Sequence, residues 1–538
     1  MFLTEENFLK TENQHFINYS IIFLLITLLF VVYGNINNGY FTDGLVNLRI
    51  SKDFSLFFTE KGSPVFNENP VYPLFISFFS FFTYEFNAAL LVNYSAYLMG
   101  AVFFYKICFF FVKRSSASIC ATVFFILNPV GLFWALRVMP DTLFVTLCLF
   151  FFYLILKEKF IYGAIILFIL SVTRTEGIFL LPVLFFYSKE KSLKKSLFLC
   201  FLVILPFILK AIFFKSGGSV NFIIAYDMLV HVDLLSNIKN HLSQFPYVFG
   251  LSTMVFILSG ILFYFKFEKK HKEMYAVFYI ILIYLLMNFF WAYVQFRHWL
   301  PFIWAVHVIT AYFFKKLFEM FEMNEQIETG RKTMISVILM LFIAYTAYGN
   351  YYSAINRVDA MKDIMGNIKK SGYFIRDKKN IVVFSNVSEN LSYFSPEKNF
   401  YSIYDFESLY QNIDNDIYYV IYSEKVPDDI PWENILEEEI KFESEFNFYY
   451  PAAPVFGFSS SWLWLEKKGE KIKNNTTIYS LKKNNFLQLY AQNMFVSGEY
   501  EKAIEAVEKI LESPLSDSDR KIIEDGLKII KIEAGYEK

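Results

Sequence analysis

Cysteine is scarce in this chain of 538 residues, which has only four. None of the four has the spacing of a metal site, and all lie inside apolar runs: Cys108, Cys120, Cys148 and Cys200. The sequence therefore predicts neither a disulfide nor a zinc site.

Histidine is also rare, with six in the whole chain. His231, Asp233 and His241 fall in one segment, but their spacing matches no standard metal site. We expect no metal and no cofactor. Glycine-rich phosphate loops are missing from the sequence, so a nucleotide-binding loop is not predicted. A net charge of −1 gives no indication of a nucleic-acid partner.

Apolar residues are abundant, because the chain is 55% hydrophobic and 21% aromatic and contains 67 Phe. Such a composition is too apolar for a soluble globule of this length and is typical of an integral membrane protein. Apolar runs recur from residue 17 to 350, and the chain then turns polar. We therefore predict three parts: a transmembrane domain at 1–350, an α/β domain at 351–483 and a helical segment at 484–538.

Eleven segments are predicted to span the membrane. They are 17–34, 87–112, 117–135, 141–156, 160–173, 176–188, 196–214, 246–266, 274–293, 299–314 and 333–350. The first lacks a small-residue cleavage site, so we interpret it as a retained span. The pair 160–173 and 176–188 is short and could form one broken hairpin.

Lysine and arginine are distributed unevenly over the connecting loops. One set of loops holds sixteen of these cations and the opposite set holds eight. By the positive-inside rule the richer set is cytoplasmic, together with the N-terminus. The polar C-terminal part and the loop after the first span are then predicted to be extracytoplasmic, at the cell membrane.

The outer cations are disfavoured by that rule, so a specific role is expected for them. Arg49, Arg137, Arg174 and Arg297 come from four separate segments and map to the same face. A shared anionic ligand such as a lipid phosphate would satisfy them, because the planar guanidinium binds phosphate bidentately.

The most informative residue is Asp43, in the first outer loop. A short amphipathic helix is predicted directly after it, so Asp43 could be a helix cap or a catalytic base. Asp141, which follows Pro140, also fits a helix cap. In Arg174-Thr175-Glu176 a local ion pair is one interpretation, and a functional role at membrane depth is the other.

The polar C-terminal part contains two predicted buried strands, 380–385 and 417–422. The sequence from Ser497 to Ala506 matches the middle of a tetratricopeptide repeat, with the turn at Gly498. We interpret 484–538 as a tetratricopeptide-like packing or partner-docking appendage, in which 517–535 is the cap.

The order of these motifs resembles the GT-C superfamily of polytopic glycosyltransferases, which includes the dolichyl-phosphate-mannose protein mannosyltransferases and the lipid A aminoarabinose transferases. The resemblance covers 17–350. It is carried by the Asp43 loop, Pro70-Val71-Tyr72-Pro73-Leu74, Asn128-Pro129, Arg174-Thr175-Glu176-Gly177 and Phe296-Arg297-His298-Trp299-Leu300-Pro301.

The resemblance implies inverting transfer of a sugar, such as mannose, from a polyprenyl-phosphate donor to a protein, lipid or glycan acceptor, with Asp43 as the base. It places the family's arginines at Arg174, Arg297 and Arg137. Arg49, Lys52 and His298 could also bind the donor phosphate, and Glu68, Glu176 and Asp141 could bind substrate. Gly44 follows Asp43 where many members have a second acid, so we expect a single base without a metal.

Three other functions remain open from the sequence. A lipid-linked glycan polymerase, ligase or flippase would share the spans and the outer cations. A secondary transporter would show internal symmetry and ionisable residues at mid-span. A membrane scaffold would account for 484–538 but not for the outer arginines.

Overall fold

The structure is a computed structural model. It describes residues 5–33, 42–52, 70–213, 234–243, 245–249, 251–268, 272–290, 296–323, 329–385, 391, 395, 397–401, 405–422, 432–447, 450–452, 465–467 and 471–536. The chain divides into two compact units. The first comprises Met1–Lys362 with Asn447–Glu470, and the second comprises Asp363–Phe446 with Lys471–Lys538. The boundaries predicted at 350 and 483 stay predictions.

Among the described residues, the first half of the helical unit has ten α-helices. They are α1 Glu5–Tyr33, α2 Thr42–Lys52, α3 Val71–Ser80, α4 Glu85–Val112, α5 Ser115–Ile126, α6 Pro129–Ala135, α7 Asp141–Leu156, α8 Phe160–Thr173, α9 Leu181–Lys189 and α10 Leu193–Phe213, with a 3-10 helix at Thr175–Leu180 between α8 and α9.

Six more α-helices are described in the second half. They are α11 Leu234–Ser243, α12 Phe245–Phe249, α13 Leu251–Phe267, α14 Lys272–Phe290, α15 Leu300–Met323 and α16 Thr329–Arg376, with a 3-10 helix at Phe296–Trp299 before α15. All eleven predicted apolar segments coincide with one or two helices. Two small strands, β5 Tyr450–Ala452 and β6 Leu465–Lys467, pair antiparallel and also belong to this unit.

Three helical stretches among the described residues are long and apolar enough to cross a membrane: Gln14–Val32, Glu85–Val112 and Lys272–Phe290. The consecutive helices α5 and α6 pass the same test together but are bent by 63°. Several other apolar helices are shorter, among them α7 and α8. The chain is therefore an integral membrane protein by composition and helix length, while the count of eleven spans stays a prediction.

The bend between α5 and α6 occurs at Asn128-Pro129. Proline lacks a backbone N–H and disfavours helical backbone in the residue before it. The Asn128 side chain compensates, because its oxygen accepts from the backbone N–H groups of Val130 at 3.1 Å and Gly131 at 2.9 Å. Its amide group donates to the Val248 carbonyl at 2.9 Å and lies 3.3 Å from Nε2 of buried His307.

Small residues allow the central helices to approach closely. At Gly100 in α4, an added Cβ would lie 2.7 Å from the Thr146 hydroxyl of α7. That hydroxyl donates to the Ala96 carbonyl at 2.6 Å, so a polar bond joins the two helices at the point of closest approach. The phenylalanine-rich core around this contact is continuous from α4 to α15.

Helix α1 is joined to α4 and α5 by a small polar network. Asn18 donates to the Tyr105 hydroxyl at 3.0 Å and to the Ser115 hydroxyl at 2.6 Å. Nδ1 of His15 lies 2.7 Å from the same Tyr105 hydroxyl. These hydrogen bonds therefore fix the position of α1 relative to α4 and the start of α5.

The second unit contains the predicted sheet. The strands are β1 Ile381–Ser385, β2 Asn399–Tyr401, β3 Asp416–Tyr422, β4 Leu436–Asn447 and β7 Lys471–Leu481, in the order β2-β1-β3-β7-β4. Both predicted strands are confirmed as β1 and β3, which pair in parallel with Val383 opposite Tyr418. Strand β7 runs antiparallel to β3. Short helices α17 Phe406–Gln411 and α18 Trp432–Ile435 flank β3.

Three C-terminal helices complete this unit: α19 Lys483–Val496, α20 Tyr500–Glu512 and α21 Asp517–Glu533. Gly498 has a φ of 80° and makes the predicted turn. The helices share one hydrophobic core with the sheet, in which Phe486 and Val507 pack with Tyr419. The helix pair lies where it was predicted, and its assignment to the tetratricopeptide class stays a prediction.

Candidate functional site

The connection from α6 to α7 positions two of the predicted site residues. Arg137 is fully buried, with its guanidinium carbon 3.8 Å from the centre of the Phe133 ring. The Asn93 side chain of α4 donates to the Arg137 carbonyl. Arg137 is therefore packed among helices and is not one of the residues that line the cleft described below.

Asp141 is the first residue of α7, and Pro140 occupies the N-cap position. Its carboxylate binds the guanidinium of Arg174, which lies 33 positions later at the end of α8. Asp141 is 2% exposed, and this ion pair is therefore largely removed from solvent. Asp141 is not the N-cap residue itself, because Pro140 occupies that position, and the Asp141 carboxylate binds Arg174.

Arg174 also binds the carboxylate of Glu176, two residues later. Nη2 lies 2.7 Å from Oε1 and Nε lies 3.4 Å from Oε2, so the local pair proposed from the sequence is present. The backbone of Arg174 is extended, with φ −151° and ψ 134°, because α8 ends there and the 3-10 helix begins. The guanidinium of Arg174 thus lies between two carboxylates, and this arrangement fixes the orientation of its plane.

These residues line a small cleft with a volume of about 10 Å³, room for about one water molecule. His298 joins them there, in the 3-10 helix before α15, and is 6% exposed. Four predicted site residues from three separate segments therefore come together: Asp141, Arg174, Glu176 and His298. The remaining walls are apolar and consist of Phe144, Met287, Leu300 and Pro301.

Two polar residues of α14 support the cleft and were missed from the sequence. The Tyr284 hydroxyl donates to the Glu176 carbonyl at 3.2 Å. The Asn288 amide group donates to the His298 carbonyl at 3.2 Å. Their polar groups inside an otherwise apolar span were the signal, because a buried donor in a membrane helix requires a partner.

The first-loop residues are described in part. Asp43 is the second residue of α2, so the helix predicted beside it is confirmed. Helix α2 packs against α3 and α4. Lys52 at its end lies 3.4 Å from Glu85, while Arg49 is half-buried.

Helix α3, which contains buried Tyr72, connects this region to the cleft, because it packs against α2 and also against α8, at whose end Arg174 lies. The side chains of Asp43 and Arg297, and the whole of Glu68, lie outside the described residues. His231 and Asp233 lie outside them as well, and His241 is buried 5.6 Å from Trp299 between ring centres.

The charge of the cleft limits its chemistry. Two carboxylates and one guanidinium lie beside His298, so the described cluster has more hydrogen-bond acceptors than cations. A phosphate group would require further cations, and Arg297 adjoins His298 in the sequence. Among the described residues, no group of three His, Cys, Asp or Glu side chains could hold a metal ion.

No protein-family model matches the chain, and no curated protein matches it in sequence. Two solved structures of ArnT from Cupriavidus metallidurans match it in fold. The apo structure aligns with a TM-score of 0.54 at 10% identity, over 85% of this chain and 97% of that chain. The structure bound to undecaprenyl phosphate aligns over the same shares, with a TM-score of 0.54 at 11% identity.

An archaeal structure, the oligosaccharyltransferase of Archaeoglobus fulgidus in complex with Zn and sulfate, aligns less well. Its TM-score is 0.49 at 10% identity, over 75% of this chain and 67% of that chain. The two alignments above 0.5 show that the chain shares the fold of ArnT, in agreement with the fold expected from the resemblance of its motifs.

Proposed function

We propose that this protein transfers a sugar from a polyprenyl-phosphate-linked donor to a hydroxyl acceptor at the extracytoplasmic membrane face. The carrying observation is the cleft in which Arg174 lies between Asp141 and Glu176 beside His298. Support for the lipid part of the donor comes from the fold shared with ArnT, a protein whose structure has been solved with undecaprenyl phosphate bound. The sugar in this proposal is a hexose of the mannose type.

The proposed reaction is a single inverting displacement. The acceptor hydroxyl oxygen attacks the anomeric carbon, the bond from that carbon to the phosphate oxygen breaks, and its electron pair leaves with the lipid phosphate. Asp43 takes the hydroxyl proton as the bond forms, because a hydroxyl is a weak nucleophile without a base. No metal takes part in this step.

The roles of the other residues follow from charge. Asp141 and Glu176 bind sugar hydroxyls and orient Arg174, and Glu68 could add to them. Arg174 and Arg297 stabilise the charge that develops on the leaving phosphate, and His298 in its protonated form would add to them. Arg49 and Lys52 on α2 attract the anionic donor, whereas buried Arg137 supports the turn before α7.

The test is Asp43→Asn in isolated membranes supplied with a labelled polyprenyl-phosphate sugar. We expect membrane levels to stay unchanged and transfer to fall by about 10²–10⁴-fold, the usual contribution of a general base. The matched control is Asp53→Asn, an aspartate of the same predicted loop, which should keep full transfer. Equal transfer by the Asp43 variant and the control would contradict the assignment of the base.

Assays of the wild-type protein with the labelled donor also distinguish sugar transfer from the alternative functions. Consumption of the labelled donor with product formation supports transfer. Movement of the lipid-linked sugar across the membrane without bond cleavage would indicate a flippase or transporter. Extension of a lipid-linked chain would indicate a polymerase or ligase.

The acceptor is proposed to be selected by the C-terminal part. Residues 351–538 are predicted to lie on the same side of the membrane as the cleft, and 484–538 could also bind a protein partner. Exchanging 351–538 for the same part of a related protein should change acceptor preference. An unchanged preference would remove the C-terminal part from acceptor choice.

A further inference from the structure

A second, larger groove lies between α9 and α14, with a volume of about 430 Å³. Its walls include Phe186, Tyr187, Tyr275 and Tyr279. Phe186 is 54% exposed and Tyr275 is 60% exposed, so both aromatic side chains face outward from the bundle. A groove of this kind on a membrane helix bundle suits acyl chains, because its walls are apolar and accessible from the bilayer.

The groove is separate from the candidate active site. Helix α14 contributes Tyr275 to the groove and Met287 to the cleft, and the rise of an α-helix puts these two residues about 18 Å apart. The groove ends at Lys189, Glu190 and Lys272, close to the lysine-rich end of α9 and α10. It therefore belongs to the opposite end of the bundle.

Lysines outnumber carboxylates at that end, where Lys189, Lys191, Lys194, Lys195 and Lys272 lie with Glu158, Glu190 and Glu273. Glu190 lies 2.8 Å from Nζ of Lys272, and Glu158 lies 2.9 Å from Nζ of Lys191. Lys189 forms no ion pair with the described residues, and its Nζ lies 4.4 Å from the centre of the Phe186 ring. Lys194 and Lys195 follow on the first turn of α10, and both are exposed. The ammonium group of Lys189 thus lies over the ring of Phe186, which forms part of the apolar wall of the groove.

We propose that this groove binds an anionic phospholipid, with its acyl chains along Phe186 and Tyr275 and its phosphate headgroup at Lys189 and Lys272. Lysines at the end of an apolar groove between membrane helices form a suitable site for an anionic headgroup, whereas a zwitterionic headgroup gains less from the same cations. This lipid site is separate from the proposed active site, and its proposal does not depend on the proposed transfer reaction.

The experiment measures lipid binding to the full purified chain by native mass spectrometry. Phosphatidylglycerol and phosphatidylcholine of the same chain length are titrated separately, and the ratio of their affinities is the readout. The wild type should prefer phosphatidylglycerol. Lys189→Gln and Lys272→Gln should each reduce the preference about fivefold, and Glu190→Gln should increase it, because that carboxylate competes for Lys272.

The matched controls are Lys157→Gln and Lys159→Gln, two exposed lysines near the N-terminus of α8 that do not line the groove. An unchanged preference in these controls supports a defined site. An equal loss in groove and control variants would overturn the proposal, since it would mean general attraction to a basic surface. A wild type without preference for the anionic lipid, or one that retains a neutral isoprenoid at this groove instead, would also overturn it.

Discussion

The guanidinium of Arg174 binds the carboxylate of Asp141 across 33 positions of sequence and joins the end of α8 to the start of α7. The same guanidinium holds Glu176 at 2.7 Å. Since both α7 and α8 are short apolar helices, their polar ends would be costly to bury separately. The ion pair therefore has both a structural and a proposed chemical role, and experiments must separate the two.

Asp141 and Arg174 should be strongly coupled in stability. We expect a double-mutant cycle with Asp141→Asn and Arg174→Gln to give a coupling free energy of about 1–3 kcal/mol. Asp141→Asn leaves Arg174 with one carboxylate in place of two, and Arg174→Gln leaves both carboxylates without their shared cation. Thermal unfolding in detergent provides the measurement. Strictly additive effects would contradict a direct pair.

Arg174→Lys should separate charge from geometry. Lysine keeps the positive charge but loses the planar fork that contacts both carboxylates. We expect transfer to fall about a hundredfold while the unfolding temperature changes little. Arg376→Lys is the control, because Arg376 is half exposed and its pair with Asp377 tolerates either cation. Full activity of Arg174→Lys would show that charge alone suffices.

Asn128→Ala should destabilise the bend between α5 and α6. The change removes the cap on α6, worth about 1 kcal/mol, and leaves the Val248 carbonyl without its donor, at a further cost of about 1–3 kcal/mol. The unfolding temperature in detergent is the readout. Asn485→Ala, which removes one exposed hydrogen bond to the Asn434 carbonyl, should have a much smaller effect.

Gly260→Ala should disrupt the packing of α13 on α15. A Cβ at this position would meet the Ile309 carbonyl oxygen well inside van der Waals distance, and the Ile309 Cγ2 atom would lie at 3.1 Å. We expect a loss of about 1–3 kcal/mol in the free energy of unfolding. Gly366→Ala in α16 is the matched control, since an added Cβ there has nothing within 4 Å. A similar loss in both variants would point to a helix-wide effect instead.

Tyr284→Phe should remove one support of the cleft while the side chains that line the cleft stay in place. The hydroxyl donates to the Glu176 carbonyl, and its removal should cost about 1 kcal/mol and loosen the 3-10 helix that carries Glu176. We expect the KM for the donor to rise more than kcat falls, because Tyr284 supports a residue that binds substrate and has no part in the proton transfer. Tyr97→Phe, which removes a hydrogen bond to the Ile126 carbonyl away from the cleft, is the control.

The sequence predicts individual site residues better than their partners. Charged residues at the ends of apolar segments, such as Arg174 and His298, are visible because membranes disfavour them. The bond from Arg174 to Asp141 was not predicted, since local patterns favour the cap at residue 141 and the pair with Glu176. Contacts between distant segments depend on how the helices pack against one another. The hydrophobic periodicity of a single helix carries no information about that packing. The strands were predictable for the opposite reason, because buried runs such as Ile381–Ser385 carry their own pattern.

The polar network of α1 bears on how the chain is assembled. Asn18 and His15 emerge from the ribosome about ninety residues before Tyr105 and Ser115, their bonding partners. Such a bond is worth only about 0.6–2 kcal/mol in a membrane, but it is directional. The first helix can therefore insert alone yet reaches its final rotation only after α4 and the start of α5 have arrived. In a chain truncated before residue 105, that helix would be inserted in the membrane without a fixed rotation about its own axis.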